Sequence, residues 1–377
     1  MRIAYIHNIE IELDSRTQKE INVLRDYGHN ILFLGWNKEI NKKNEKKTVL
    51  VRDKNLSIEN ICIKVKKGKG LSSNLIPIIK YEIALIRWLI KNKNNFDVIH
   101  CCSFDTQLIA WPIAKIYKKK TVYDIYDDYA DSHNIGDTLH YLIKKIDGYL
   151  IQFVDHLIIC SEERVNQLSN RNYKKLAVIH NSPDIKNIDN NLFPIKKNNK
   201  IKIAYVGNLN DGRFVLELAQ IISKLPEFEF HCGGDGIHKN EIIELTQSCD
   251  NVFFYGRLSY EQVLSLESQC DIIPAIYDPS IKNHTYAAPN KFYEALYLGK
   301  PTIMVHNTGM DKIVDNYNTG ETVSYDKKSI SSALFSIKNN ITFWKTSEKR
   351  LQELYKNKFS WQVMSDRLIE IYNTINE

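Results

Sequence analysis

The residues best suited to handle an anionic ligand lie in the C-terminal half. Asn283 to Pro301 reads NHTYAAPNKFYEALYLGKP. The pattern predicts a short helix from Pro289 to Leu298. Proline suits the first turn, Gly299 suits the C-terminal cap, and Pro301 stops continuation. Free N–H groups and the helix dipole make such a start attractive to anions. Asn290 and Lys291 add a donor and a positive charge there. Glu294, one turn further in, is suited to accept hydrogen bonds from two adjacent hydroxyls, as on a ribose. The plain alternative is that Glu294 only complements the dipole and Lys291 is a surface charge. Upstream, VGNLNDGR (206–213) follows a strand and opens a helix. Gly207 and Gly212 permit close backbone approach, and Arg213 is suited to clamp a diphosphate. An ordinary βα loop with a surface arginine is the alternative. Gly233-Gly234-Asp235-Gly236 forms a further strand-end turn, fit for ligand approach or for a simple reversal.

Short apolar runs and amphipathic patterns must position these groups. Residues 2–6, 30–34, 98–101, 121–126 and 156–160 read as strands. Residues 15–27, 75–91 and 106–118 read as helices, with Gly28 capping the first. Residues 181–200 (NSPDIKNIDNNLFPIKKNNK) are polar and read as a linker. The alternation then restarts: strands at 202–206, 228–232, 252–255, 272–275 and 301–305, and a helix at 214–225. This predicts an α/β protein of two Rossmann-like domains facing a cleft. Residues 344–377 form a long helical pattern.

Composition narrows the class. The chain has 377 residues, enough for two or three domains, and its 43% hydrophobic and 25% charged residues are ordinary globular usage. The net charge of +6 resides partly in Asn41–Lys47, Lys66–Lys69 and Lys196–Lys200. These runs read as a solvated surface, or as a basic face for an anionic membrane or a phosphorylated substrate. They carry few aromatics, which argues against nucleic acid. Seven cysteines without CxxC spacing argue against a disulfide framework or zinc site and for a reducing compartment. The N-terminal residues read as a strand and not as a signal peptide. No apolar stretch reaches the ~20 residues that span a bilayer. Leu75 to Lys91 is very apolar, with Lys80, Arg87 and Trp88, and suits either a membrane face or burial against the sheet. The first strand leads into HNIEIELDSR instead of GxGxxG, which disfavours a nicotinamide-dependent oxidoreductase.

The ordered set AYVGNL…GR, CGGDG, NVFFYGRLSYEQV, CDIIPAIYDP and APNKFYEALYLGKPTI resembles the retaining nucleotide-sugar glycosyltransferases of family 4, with the GT-B fold. The likeness covers most of the chain and is strongest from Ile203 to Pro301. It implies an acceptor-binding domain at 1–182, completed by a returning helix at 355–377. A linker at 183–200 and a nucleotide-sugar domain at 201–354 make up the rest. The family pattern assigns Glu294 to the donor ribose and Arg213, with Lys291, to the diphosphate. Gly207, Asn208, Gly234, Gly236, Arg257, Leu258 and Asn290 fall around the donor. Asp127 or Asp128 replaces a frequent catalytic-site histidine, whose place Tyr126 takes. Arg16, Asp105 and Asp128 fall on the acceptor side. Position 286, normally the first of two paired glutamates, is Tyr286, so donor-sugar selection differs from the family pattern.

The expected chemistry is loss of a nucleoside diphosphate through an oxocarbenium-like transition state, with positive groups stabilising the leaving phosphate. The expectation is a retaining, metal-independent transferase that needs no cofactor. Its partners are a nucleotide-sugar donor, with UDP preferred by family frequency, and a glycan or lipid-linked acceptor. Its place is cytoplasmic, with peripheral contact at the inner face of the cell membrane. Asp124, Asp127 and Asp128 are read as polar strand termination and not as a metal site. Two alternatives stand beside this reading: a UDP-sugar 2-epimerase on the same fold, and a non-catalytic nucleotide-sugar-binding partner subunit.

Overall fold

Alternating apolar runs become parallel strands in both halves of the chain. In the computed structural model, which describes residues 1–66, 71–133, 135–185, 188–189 and 192–376, the chain divides into two units. The first is 1–180 with 364–377; the second is 181–363. Residues 67–70 of one basic stretch, and 186, 187, 190 and 191 of the expected linker, lie outside the described residues.

The first unit is built on eight strands: β1 (Arg2–Ile6), β2 (Asn30–Asn37), β3 (Glu45–Val51), β4 (Lys54–Cys62), β5 (Val98–Cys102), β6 (Lys120–Ile125), β7 (His156–Ile159) and β8 (Leu176–Val178). Their order is β3-β4-β2-β1-β5-β6-β7-β8, and every pair except antiparallel β3–β4 is parallel. β5 and β7 are wholly buried, which explains why they are apolar apart from His100 and His156. The β3–β4 hairpin was not expected. Its edge strand takes up Glu45–Lys47 of a run read as a solvated surface or a basic face, and Arg52 and Asp53 turn the chain at φ 46° and 69°.

Helix Ser15–Asp26 starts at Asp14, whose carboxylate accepts from the Arg16 and Thr17 N–H groups. Helices Leu75–Asn92, Phe104–Ile116 and Asp137–Ile151 follow β4, β5 and β6. Tyr81, Leu85, Trp88 and Leu89 of helix Leu75–Asn92 join Ala4, Ile99 and Ala110 in the core. No helix among the described residues is long and apolar enough to cross a membrane.

The C-terminal return begins at Met364, not at 355. Tyr355 and Phe359 are apolar anchors of the second unit, packed with Phe292 and Tyr293, and the Tyr355 hydroxyl donates to the Pro183 carbonyl at 2.7 Å. Ser360 adopts extended backbone and separates this turn from helix Trp361–Asn373. That helix brings Leu368, Ile371 and Tyr372 into the first unit, where the Tyr372 hydroxyl meets His100 Nδ1 at 2.7 Å.

The second unit contains β9 (Ile201–Asn208), β10 (Phe228–Asp235) and β11 (Val252–Phe254) in the order β11-β10-β9, and the parallel pair β12 (Thr302–Val305) and β13 (Gly320–Val323). Residues 272–275, expected as a strand, make only single bridges, Ile203 to Ile272 and Ala275 to Met304, which carry the sheet from β9 to β12. Part of the expected linker is fastened to this unit. The Phe193 N–H donates to Ser265 Oγ at 3.0 Å, and the Ile195 N–H to Gln269 Oε1 at 3.1 Å.

Candidate functional site

The site of the second unit starts from a close approach of two strand ends. β9 and β10 pair in register through Gly207–Gly234 and Asn208–Asp235. A Cβ at Gly234 (φ +126°) would lie 1.8 Å from the Gly207 carbonyl oxygen, so only glycine fits. Beside these ends lies a cavity of about 750 Å³.

Helix Asn290–Leu298 supplies one wall. Pro289 precedes it in extended backbone, and Gly299 (φ +67°) caps its end, as the sequence pattern implied. Asn290, Lys291 and Glu294 all line the cavity. Glu294 is only 4% exposed. The Lys291 ammonium lies 5.1 Å from the Tyr205 ring centroid and 3.2 Å from Glu267 Oε1. Burial opposes its charge, but Glu267 and Glu294 outweigh burial and hold its pKa above the usual lysine value.

Glu267, from helix Tyr260–Ser268, is a residue the sequence analysis did not single out. It is fully buried, and its Oε2 has no hydrogen-bond partner. Burial, reinforced by the charge of Glu294, pushes its pKa up to about 8 against the pull of Lys291. A carboxylate pairing at long range leaves no local sequence signal.

Arg213, just ahead of helix Val215–Ile222, also lines the cavity. Its guanidinium stacks 3.9 Å from the Tyr277 ring centroid, and its buried Nη1 has no hydrogen-bond partner. A buried donor without a partner is costly. An anion in the cavity would relieve that cost. Phe214, next in sequence, takes a left-handed conformation (φ 57°) that fixes where the helix begins.

Gly207, Asn208, Gly234 and Leu258 also line the cavity, as does Arg257. Arg257 stands at the rim, 81% exposed at its side chain, with Nη2 2.8 Å from Asp235 Oδ2. Tyr260 and Tyr277 are further lining residues that the sequence analysis did not name. Gly236 and Tyr286 are not among the lining residues. A Cβ at Gly236 would meet Asn210 and Leu209 instead, and Tyr286 ends a 3₁₀ turn (Lys282–Tyr286) that leads towards the helix.

The residues expected on the acceptor side fall in the first unit and are engaged there. Arg16 is 3% exposed; it bonds Glu20 Oε1 at 2.8 Å, both Asp124 oxygens at 2.9 Å and the Ile179 carbonyl at 2.9 Å. Its guanidinium also lies 4.5 Å from the Tyr126 ring centroid. Asp105 accepts from Asn8 Nδ2 at 2.8 Å and from Ser103 Oγ. Asp128 accepts from the Asp131 N–H and from Lys144 Nζ at 2.6 Å. Asp127 is the most accessible of the set, 57% exposed at its side chain, with Arg164 at 3.1 Å. Among the described residues, one trio has metal-ligand spacing: Glu20, His100 and Asp124. Arg16 already pairs two of its members.

Comparison with known proteins follows the same division. Residues 187–361, nearly all of the second unit, match the family model described as glycosyl transferases group 1. The whole chain has the GT-B class of fold. It is similar to sucrose-phosphate synthase from Thermosynechococcus elongatus at 14% identity and TM-score 0.73, over 100% of this chain and 99% of the other. Anabaena HepE, solved in complex with UDP, gives 14% identity and TM-score 0.68 over 99% and 100%. A glycosyltransferase from Rickettsia africae ESF-5 gives 16% and 0.68 over 100% and 98%. No curated protein matches this sequence.

Proposed function

We propose that this chain is a retaining, metal-independent glycosyltransferase that moves a sugar from a UDP-sugar to a hydroxyl of a glycan or lipid-linked acceptor. One observation carries the reading. An arginine with an unpaired buried nitrogen, a lysine held charged and a helix N-terminus all border one cavity with Glu294. The glycosyl transferases group 1 match over this unit and the UDP bound by HepE support it.

In this reading Glu294 accepts hydrogen bonds from the ribose hydroxyls. The diphosphate lies between Arg213, Lys291 and the N–H groups at Asn290 and Lys291. As the anomeric carbon–oxygen bond to phosphate breaks, negative charge grows on the departing oxygen, and these groups stabilise it. The acceptor oxygen forms the new bond to the anomeric carbon from the same face. Its proton passes to the leaving phosphate, so no separate base is needed. Positive charge comes from the protein, which leaves no step that calls for a metal.

A thermal-shift panel with UDP, GDP, ADP, dTDP and CMP tests donor binding. Saturation at 100 times the dissociation constant adds about 2.7 kcal/mol, several degrees for a domain of this size. A shift selective for UDP is expected; no shift with any nucleotide would sink the donor-site reading. Glu294→Ala is expected to lower transfer at least tenfold while the protein stays folded. The second reading, a nucleotide-sugar-binding subunit without catalysis, is favoured by Tyr286, which replaces the expected glutamate and stands outside the cavity lining. A selective UDP shift without hydrolysis or transfer would favour it.

A further inference from the structure

Helix Leu75–Asn92 buries one face and leaves the other unpartnered among the described residues. Tyr81, Leu85, Trp88 and Leu89 point into the core. On the opposite side Ile76, Ile79, Ile83 and Ile90 are exposed, Ile76 by 67%. Lys80, Arg87 and Lys91 are exposed between them. At 100° per residue these seven positions fall within an arc of roughly 120°. The segment is therefore buried against the core on one face and exposed on the other.

Neighbouring helices also expose apolar side chains. Helix Leu75–Asn92 packs on Phe104–Ile116, which packs in turn on Asp137–Ile151. Asp137–Ile151 exposes Tyr141, Leu142 and Tyr149 on one stripe with Lys145, and the middle helix exposes Ile116 beside Lys115. Strands β4, β5 and β6 run in one direction, so all three helices start at the same edge of the sheet. Asp105 and Asp128 mark that edge, in the first turn of one helix and just ahead of Tyr129. Lys80, Arg87, Lys91, Lys115 and Lys145 are exposed, and none has an ion-pair partner among the described residues.

We propose that this three-helix face docks the first unit onto an anionic lipid bilayer. Exposed aliphatic and tyrosine side chains enter the headgroup–acyl boundary, and the interleaved lysines and Arg87 meet the phosphates. The charge selects this occupant: cores of protein interfaces are depleted in lysine, whereas an anionic surface requires it. The inference goes beyond the transferase reading and does not depend on it, since binding is measured without donor or acceptor. If both hold, the acceptor-side carboxylates stand at the edge of the docking face, where a lipid-borne sugar would arrive.

The test is flotation of the full chain with vesicles of phosphatidylcholine alone or with 30 mol% phosphatidylglycerol, at low and at 0.5 M salt. The expected result is binding to the anionic vesicles, weakened by salt, with little binding to the neutral ones. The double substitution Ile79→Glu/Ile83→Glu should lower vesicle partition at least tenfold with an unchanged melting midpoint and circular dichroism. Both residues are exposed, so folding should survive. No flotation with either vesicle overturns the proposal, as does flotation that the double substitution leaves intact. A dimer in sedimentation that the substitution dissociates, without vesicle binding, would assign the face to a second copy and overturn it too. Vesicle binding without transferase activity would leave this inference standing and remove only the catalytic reading.

Discussion

Lys291 is flanked by two carboxylates of unequal character. Glu294 faces the cavity, while Glu267 is fully buried with one unpartnered oxygen. The folded-state pKa of Glu267, about 8, exceeds its ordinary value of 4.5. Burial thus favours its neutral form against the pull of Lys291, and its contribution to stability, full below 4.5, is lost as pH rises through 8. Above 8 its charge offsets that of Lys291, and the cavity becomes less attractive to a diphosphate. UDP affinity, followed by titration calorimetry, is expected to fall several-fold between pH 7 and 9. In Glu267→Gln that fall should disappear; a wild type with flat affinity over this range would count against a titrating Glu267. Arg213, Lys291 and Glu294 were legible in the sequence because each adjoins a glycine loop or a helix start, local features with known geometry. Glu267 was not, because it meets Lys291 from another helix, 24 residues away. Tyr277 under Arg213 is a tertiary contact of the same kind.

Elements were legible where one periodicity dominated. Strands β1, β5 and β9 are mostly apolar, broken only by Arg2, His100, Lys202 and Asn208, and the helix beginning at Asn290 is bracketed by Pro289 and Gly299. The β3–β4 hairpin was missed for a physical reason. Its edge strand EKKTVLV alternates between half-buried and exposed positions, so its lysines resembled a solvated run. Its turn uses Arg52 and Asp53 at positive φ, where glycine or asparagine would have signalled it. At Gly234 the sequence signal was a glycine cluster, and the structure gives its cause in the backbone contact with Gly207. Gly234→Ala must push β9 and β10 apart at the cavity. The expected cost is at least about 2 kcal/mol, measured as a lower denaturation midpoint, with weaker UDP binding. An alanine variant as stable as wild type would mean that the close approach is not obligatory.

The molecule as a whole is a chain that leaves its first unit at 180 and re-enters it at 364. The returning segment buries Met364, Leu368, Ile371, Tyr372 and Ile375. At about 1.5–3 kcal/mol for each large apolar side chain, their combined burial rivals the roughly 5–15 kcal/mol that keeps a domain folded. Truncation before Met364 is therefore expected to unfold the first unit and spare the second. Calorimetry should lose one transition, and limited proteolysis should leave a fragment close to 181–363. Two unchanged transitions would show that the last helix is dispensable. The two-unit plan was visible in the restart of the strand pattern after the linker. The point of return was not, because Tyr355 and Phe359 continue the same helical periodicity while serving a different core. The discontinuity also orders events at the ribosome. Residues 181–363 emerge while the first unit still lacks its closing helix, and domains tend to fold as they emerge. The first unit must wait with part of its apolar surface uncovered, so a chain halted shortly before its end carries a finished second unit beside an open first one, a form that chaperones and proteases can recognise.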